Sequence, residues 1–172
     1  MRVQATCYRV HEPKWSFDPI SGDGAAIYGA RFNPKGTPAL YLALTIETAM
    51  KEVSLGLGYR IDPCVLCSYD VDCADVADLR AAAGRAEYNV APAELSCAWK
   101  SDVLERREPA SWLLARRLIA RGIAGILVPS FAPGATQRDE NLVLWKWSAR
   151  PPHQVRVFDP SKRLPRDQRS WE

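Results

Sequence analysis

Apolar residues recur along this chain with two periods, and the changes between them mark out its elements. Residues 3–10 and 64–71 alternate, the second run with Val65, Cys67, Tyr69 and Val71 on one face, and each predicts a strand. Residues 38–44 hold a nearly continuous apolar run from Ala39 to Leu44, the pattern of a strand buried on both faces. Ile123 to Val128 reads the same way and is closed by Pro129. Residues 141–147 set Val143, Trp145 and Trp147 against Leu142, Leu144 and Lys146, and Gln154 to Phe158 predicts a last strand. Helical spacing over 45–57 gathers Ile46, Ala49, Met50, Val53 and Leu57 into one stripe, with Thr45 as N-cap and Glu47 in the first turn. Further helices are predicted at 78–83, 101–107 and 111–121, the last between a Ser111 cap and a Gly122 stop. Strands and short helices mix without an internal repeat, which predicts an α+β domain.

Within this pattern one arginine, one tyrosine and one glutamate fall on three successive elements. Arg31 follows Gly29 and Ala30, small residues that permit close backbone approach by a ligand. Tyr41 shares its strand face with Ala39 and Ala43, which leaves its ring open to a flat ligand. The strand by itself fits a core tyrosine covered by another element better. Glu52 lies roughly 60° around the helix from Ala49, on the flank of the apolar stripe, where either a cleft or plain solvent suits it. Ser130 follows Pro129 at a strand end; on its own it reads as a turn serine. The run 134–140 just after it reads as a mobile loop over the site or equally as a plain surface connection.

Composition sets limits. A chain of 172 residues suits one domain with a substantial core. Its net charge of +3 lies wholly in residues 150–172, which hold six basic and three acidic side chains. The first 149 residues balance at seventeen of each, so no basic face for nucleic acid is expected. That proline-containing tail reads as a loosely packed extension or a partner-contact segment after a domain spanning 1–150. Neither a signal peptide nor an apolar run near the roughly 20 residues of a membrane span is evident. Five cysteines without framework spacing suit a reducing compartment, and the expected location is cytoplasmic.

Rival chemistries fail on spacing. Cys64 and Cys67 stand three apart on a strand, hence on opposite faces, and no second Cys/His pair follows, so structural cysteines and no metal are expected. Gly22-Asp23-Gly24 is too short for a phosphate loop, and no clear helix follows it. No Gly-x-Ser-x-Gly elbow occurs, and two histidines make a His-based triad improbable.

The remaining motifs carry a family resemblance. They are Tyr8-Arg9-Val10, the glycine-rich 21–25, Gly29-Ala30-Arg31-Phe32-Asn33, Gly36–Ala43, Glu47–Val53, Leu127-Val128-Pro129-Ser130 and Asn141-Leu142-Val143. In order and spacing they resemble the RES-domain family, the toxins of bacterial RES–Xre toxin–antitoxin pairs, from near the N-terminus to about residue 147. The family's arginine, glutamate and serine would be Arg31, Glu52 and Ser130. Ala30 and Phe32 stand where the family often has glycine and tryptophan, and residues 60–110 match weakly. The resemblance implies an ADP-ribosyltransferase-like single domain, small packed β-sheets flanked by short helices, with NAD+ as substrate. Arg9 and Arg31 would hold its phosphates or ribose, Tyr41 would stack near the nicotinamide, and Ser130 and Asn141 would bond at the pocket wall. Glu52, with Arg31 anchoring the substrate, would stabilise the ribose cation as nicotinamide leaves. It further implies an Xre-type antitoxin partner and transfer of ADP-ribose to a protein, with phosphoribosyl pyrophosphate synthetase one kind of target. Hydrolysis or phosphorolysis of NAD+, and a non-catalytic nucleotide-binding partner of the antitoxin, are the alternatives.

Overall fold

Among the described residues seven strands form one hydrogen-bonded order, in which a single residue pair links the ladders of the two halves. The computed structural model describes residues 1–54 and 61–171; Leu57 and the end of the helix expected over 45–57 lie outside them. The strands are β1 (Val3–His11), β2 (Leu40–Ala43), β3 (Val65–Cys73), β4 (Val76–Asp78), β5 (Gly125–Pro129), β6 (Glu140–Leu144) and β7 (His153–Val157), ordered β4-β5-β6-β2-β1-β3-β7. Only β4 and β5 run parallel. β1 pairs with β3 along its whole length, yet with β2 only at Tyr8 opposite Ala43. Beyond that bridge the two half-sheets, β4-β5-β6-β2 and β1-β3-β7, part company. The expected small sheets are thus two ladders meeting at a crevice.

Both faces of the first half-sheet are covered, which is why β2 and β5 read as unbroken apolar runs. Leu40, Leu42, Leu127, Leu142 and Leu144 join Cys7, Tyr69 and Val71 in one buried cluster. Ala39, Ile126, Val128 and Val143 join Leu114 and Leu118 in the other. Those last two belong to α6 (Ala110–Ala120), the longest helix among the described residues. Gly122 ends α6 with φ of 81°, while its N–H and that of Ile123 donate to Ile119 O and Leu118 O, the Schellman arrangement. Ser111 is buried inside α6 and caps nothing; it accepts a bond from Cys97 Sγ at 3.3 Å.

The remaining helices are α1 (Asp23–Tyr28), α2 (Ile46–Ser54), α3 (Ala82–Glu87), α4 (Pro92–Ser96) and α5 (Trp99–Leu104). Sequence reading missed α1 and α4, short helices whose N-cap side chains make no hydrogen bond to them. The helix expected at 78–83 begins four residues later as α3, because Val76 to Asp78 are drawn into β4. In β6 the expected alternation holds to Trp145 and then breaks. The amides of Trp145 and Lys146 both donate to Ala124 O, a bulge that sends Trp147 to the opposite cluster from Trp145. Part of the tail expected to pack loosely is structural: β7 pairs with β3 across five residues, and Leu164 packs on the core. Cys67 is buried as expected, whereas Cys64 is exposed.

A buried polar chain closes the second half. Tyr69 OH donates to Pro19 O at 2.9 Å, so it accepts from His11 Nε2–H at 2.5 Å, which puts a proton on His11 Nε2. Burial, aided by the nearby Arg9 charge, lowers the His11 pKa from 6.5 to about 4. Between those values the unfolded chain binds a proton that the folded chain refuses, so stability falls as pH drops through that window. We predict that His11→Gln, which keeps an N–H donor, loses about 2–3 kcal/mol less than the parent from pH 7 to pH 4 in urea unfolding. A second substitution tests the α6 terminus: Gly122→Ala meets no neighbouring atom and should cost about 1 kcal/mol through its left-handed backbone alone, read as a lowered urea midpoint.

Candidate active site

Arg31 owes its position to the turn after α1. Gly29 leaves that helix with φ of 72°, a conformation other residues resist, and Ala30 then pairs with Asn33 as an isolated bridge. Two tryptophans clamp the turn from outside: Trp112 Nε1 donates to Ala30 O at 2.7 Å and Trp145 Nε1 to Phe32 O at 2.9 Å. The Arg31 guanidinium reaches across to the end of α4, where Nη1 donates to Cys97 O at 2.8 Å and Leu95 O at 3.3 Å. Its Cζ stands 4.5 Å from the Phe131 ring centroid. Burial lowers its pKa against the opposing pull of Cys97, Glu52 and Tyr41, and it stays charged. Among the described residues Nε and Nη2 make no hydrogen bond, which leaves two donors for an anion.

Tyr41 is tied at its hydroxyl and lines the cleft with the rest of its side chain. Its hydroxyl donates to Asn33 Oδ1 at 2.8 Å and accepts from Phe32 N at 3.0 Å, and burial pushes its pKa upward. Asn33 is itself fully buried, with Nδ2 bonded to Ala25 O and Thr37 O. So the phenol tip is anchored while the ring borders open space.

Glu52 stands on α2, whose capping follows expectation: Thr45 Oγ1 accepts from Thr48 N at 3.1 Å. The facing of α2 does not. Ile46 and Val53 of the expected stripe are exposed, and Thr48 and Ala49 are the buried residues. The cause is Asp139, a buried carboxylate just before β6. It accepts from Thr48 Oγ1 at 2.9 Å, Lys51 Nζ at 2.8 Å, Thr136 N at 2.7 Å and Thr136 Oγ1 at 2.9 Å. These donors, led by Lys51, hold its pKa well below the usual carboxylate range. Asp139 therefore turns one side of α2 inward and delivers Glu52 to the strand ends. There Ser130 Oγ donates to Glu52 Oε1 at 2.6 Å and Asn141 Nδ2 to the same oxygen at 2.5 Å. Oε2 accepts nothing from the described residues. Asp139 also ties the 134–140 run to the site: Ser130 N donates to Asp139 O at 2.7 Å, and the carboxylate accepts from Thr136 N.

These groups border adjoining hollows. An open cleft of about 400 Å³ is walled by Arg31, Tyr41, Glu52, Phe131 and the start of α5, Trp99 to Ser101. A smaller one of about 240 Å³, at the crevice between β1 and β2, shares Tyr41 and Glu52 and adds Tyr8, Arg9 and Asn141. Of the residues singled out from sequence, Arg31, Tyr41, Glu52, Ser130 and Asn141 form one neighbourhood. Arg9 is placed differently: it borders the crevice, but its Nη1 donates to Ser21 O at 3.0 Å, and its strand alternation puts it with buried Cys7 and Cys67. Asp139, Asn33, Phe131 and the α5 wall escaped sequence reading. Only Asp139 left a trace: Thr48 and Lys51, three apart on a helix, share a side that an acid can draw inward. No group of three or more His, Cys, Asp or Glu among the described residues is arranged to hold a metal ion.

The family model described as RES domain matches residues 6–167. No curated protein matches the chain. Among solved structures, a chain of the M. tuberculosis MbcT–MbcA toxin–antitoxin complex superposes with a TM-score of 0.61 at 22% identity, over 92% of this chain and 84% of that one. The superposition shows a shared fold across nearly the whole chain, as the resemblance in sequence implied. The match over 6–167 carries the assignment further, and the chain belongs to the RES domain family.

Proposed function

We propose that this protein is the toxin of a toxin–antitoxin pair, an enzyme that cleaves the nicotinamide–ribose bond of NAD+ and passes ADP-ribose to a cellular protein. The observation that carries this reading is the Glu52 carboxylate: exposed at an open cleft, fixed through one oxygen by Ser130 and Asn141, with its other oxygen unengaged beside Arg31 and Tyr41. That is what a dissociative glycosidic cleavage demands. As the C1′–N bond breaks, its electron pair moves to the positively charged ring nitrogen and nicotinamide departs neutral. Positive charge passes to the ribose, where the free Glu52 oxygen accepts from a ribose hydroxyl and stabilises it. Arg31 offers Nε and Nη2 to the diphosphate, and the Tyr41 ring bounds the space for nicotinamide. The acceptor's nucleophile then bonds to C1′ and releases its proton to solvent. Positioning and fixed charge supply the acceleration.

Family membership and the fold shared with the MbcT–MbcA complex support an antitoxin partner, which we take to be of Xre type and to act by filling the cleft. A complex whose cleft stays open would reject that mode of neutralisation.

The test is nicotinamide release by the purified protein in phosphate-free buffer, with phosphate, and with lysate plus labelled NAD+. Label on one lysate protein, phosphoribosyl pyrophosphate synthetase among those to examine, is the expected result. Release in buffer alone assigns a glycohydrolase, and a strict phosphate requirement a phosphorylase. No release under any condition overturns the enzymatic reading. Glu52→Gln should keep NAD+ affinity within about threefold, lose on the order of a hundredfold or more in turnover, and abolish growth inhibition. Full toxicity of that variant would remove Glu52 from its role. Asp139→Asn keeps the size of the side chain but removes the negative charge that Lys51 pairs with; turnover should fall about tenfold with KM nearly unchanged, since what it loosens is Glu52 rather than the substrate's grip.

A further inference from the structure

A third hollow, of about 250 Å³, follows the end of β1 and shares no residue with the open cleft at Glu52. Trp15, Phe17, Ile27 and Tyr28 border it. Three of these are left in solvent to an unusual degree: Trp15 is 48% exposed, Ile27 60% and Tyr28 73%. Scattered apolar residues at a surface need no explanation, but two aromatics and an isoleucine around one concavity do. The fold makes little use of them, since neither α1 nor the 3₁₀ turn Pro13–Trp15 has a buried residue of its own. The hollow is also acidic: Glu12, Asp18 and Asp23 stand along it against one guanidinium, that of Arg9. The opposite charge lies close by. The chain's net charge of +3 falls in residues 150–172, whose 3₁₀ turn Gln168–Trp171 packs beside Pro13–Trp15. Leu164 packs on the same buried cluster as Ile20, so Arg163 and Arg166 flank a residue of that cluster just as Asp18 and Asp23 do.

We infer that this face is the interface of a two-fold homodimer. Trp15, Ile27 and Tyr28 of each copy bury against the other, and the basic tail of each lies over Asp18 and Asp23 of its partner. Charge complementarity selects a second copy of this chain as the occupant. Glu12 is already paired with Lys14, and Arg169 with Asp167. Among the described residues Asp18, Asp23, Arg163 and Arg166 have no ion pair, and all four are exposed. Two sets of opposite sign thus stand near one another on one chain without meeting. A two-fold contact applies the same patch to itself, so each set finds in the other copy what its own chain does not bring to it. Like charges facing one another would repel, which fixes the tail of one copy over the hollow of the other. Aromatic side chains bury roughly 150–250 Å² each, so at these exposures the three apolar side chains offer about 350 Å² per copy, near half of the roughly 800 Å² per partner in a standard interface. The charged rim and tail supply the remainder. None of Arg31, Tyr41 and Glu52 takes part, so the dimer stands apart from the chemistry proposed for the cleft.

Sedimentation velocity of the full chain over a dilution series should show a reversible dimer. Asp18→Lys with Asp23→Lys in one protein, and Arg163→Glu with Arg166→Glu in another, should each weaken it about tenfold or more at an unchanged melting temperature. Mixed in equal amounts, the two charge-reversed proteins should pair with each other. The acidic tail of one then meets the basic rim of the other, while the unaltered rim meets the unaltered tail. That rescue separates docking from damage to the fold, which mixing does not repair. Trp15→Ala with Tyr28→Ala should remove the dimer by taking away its apolar centre. Charge-reversed proteins that stay monomeric on mixing overturn the pairing of tail with rim, and variants that dimerise as the parent does overturn the surface. A parent that is monomeric throughout overturns the inference outright, whichever other protein the hollow then proves to bind.

Discussion

One residue pair, Tyr8 opposite Ala43, governs the architecture around the site. Had β1 and β2 paired along their length, the seven strands would form a continuous sheet, and the ground beneath α2 would be closed. Because the ladder stops after one bridge, the half-sheets diverge and a crevice opens between them. Glu52 overlooks it from a helix packed on both β1 and β2, Tyr41 lines it from one half and Arg9 from the other. The site is therefore a property of where pairing ends.

Polar ties, more than apolar packing, set the side chains around this crevice. Apolar burial is non-directional; it places a helix on a sheet without fixing its rotation. Rotation of α2 is fixed by Asp139, which draws Thr48 and Lys51 inward and leaves Ile46 and Val53 in solvent. The Arg31 turn is likewise fixed by directional bonds, two indole N–H groups on the carbonyls either side of it and two carbonyls on its guanidinium. Hydrogen bonds to charged groups contribute about 1.5–3 kcal/mol each and vanish with small displacements, so they define geometry as packing cannot.

This division explains what the sequence made legible. Strands buried on both faces announce themselves by composition, so β2 and β5 were readable, and local chemistry exposed the Thr45 cap and the Gly122 stop. Arg31, Glu52 and Ser130 were singled out by motif order, since each has an ordinary alternative when viewed alone. The facing of α2 was not readable because Asp139 lies 91 residues from Thr48, and no periodicity carries a tie of that range. The same holds for the bulge at Trp145 and Lys146, which needs Ala124 from just before β5, and for β7, which needs β3 beside it. Short helices such as α1 and α4 have no side-chain cap from their own N-cap residues; Ser21 Oγ accepts from Asp23 N at the start of α1, and the Glu94 carboxylate accepts from Ala91 N at the start of α4.

The placement of Glu52 has a consequence for the proposed chemistry. A carboxylate on an exposed helix ordinarily samples many rotamers, and holding one at the moment of reaction costs free energy on the order of 1–2 kcal/mol. Here Ser130 and Asn141 restrict it before any ligand arrives, and both engage the same oxygen. Had they engaged one oxygen each, the carboxylate would be equally rigid but have less capacity left for a substrate hydroxyl. Concentrating both donors on Oε1 keeps the group oriented and keeps Oε2 available. An electrostatic catalyst needs that combination, because its advantage over water lies in charge that is already in place.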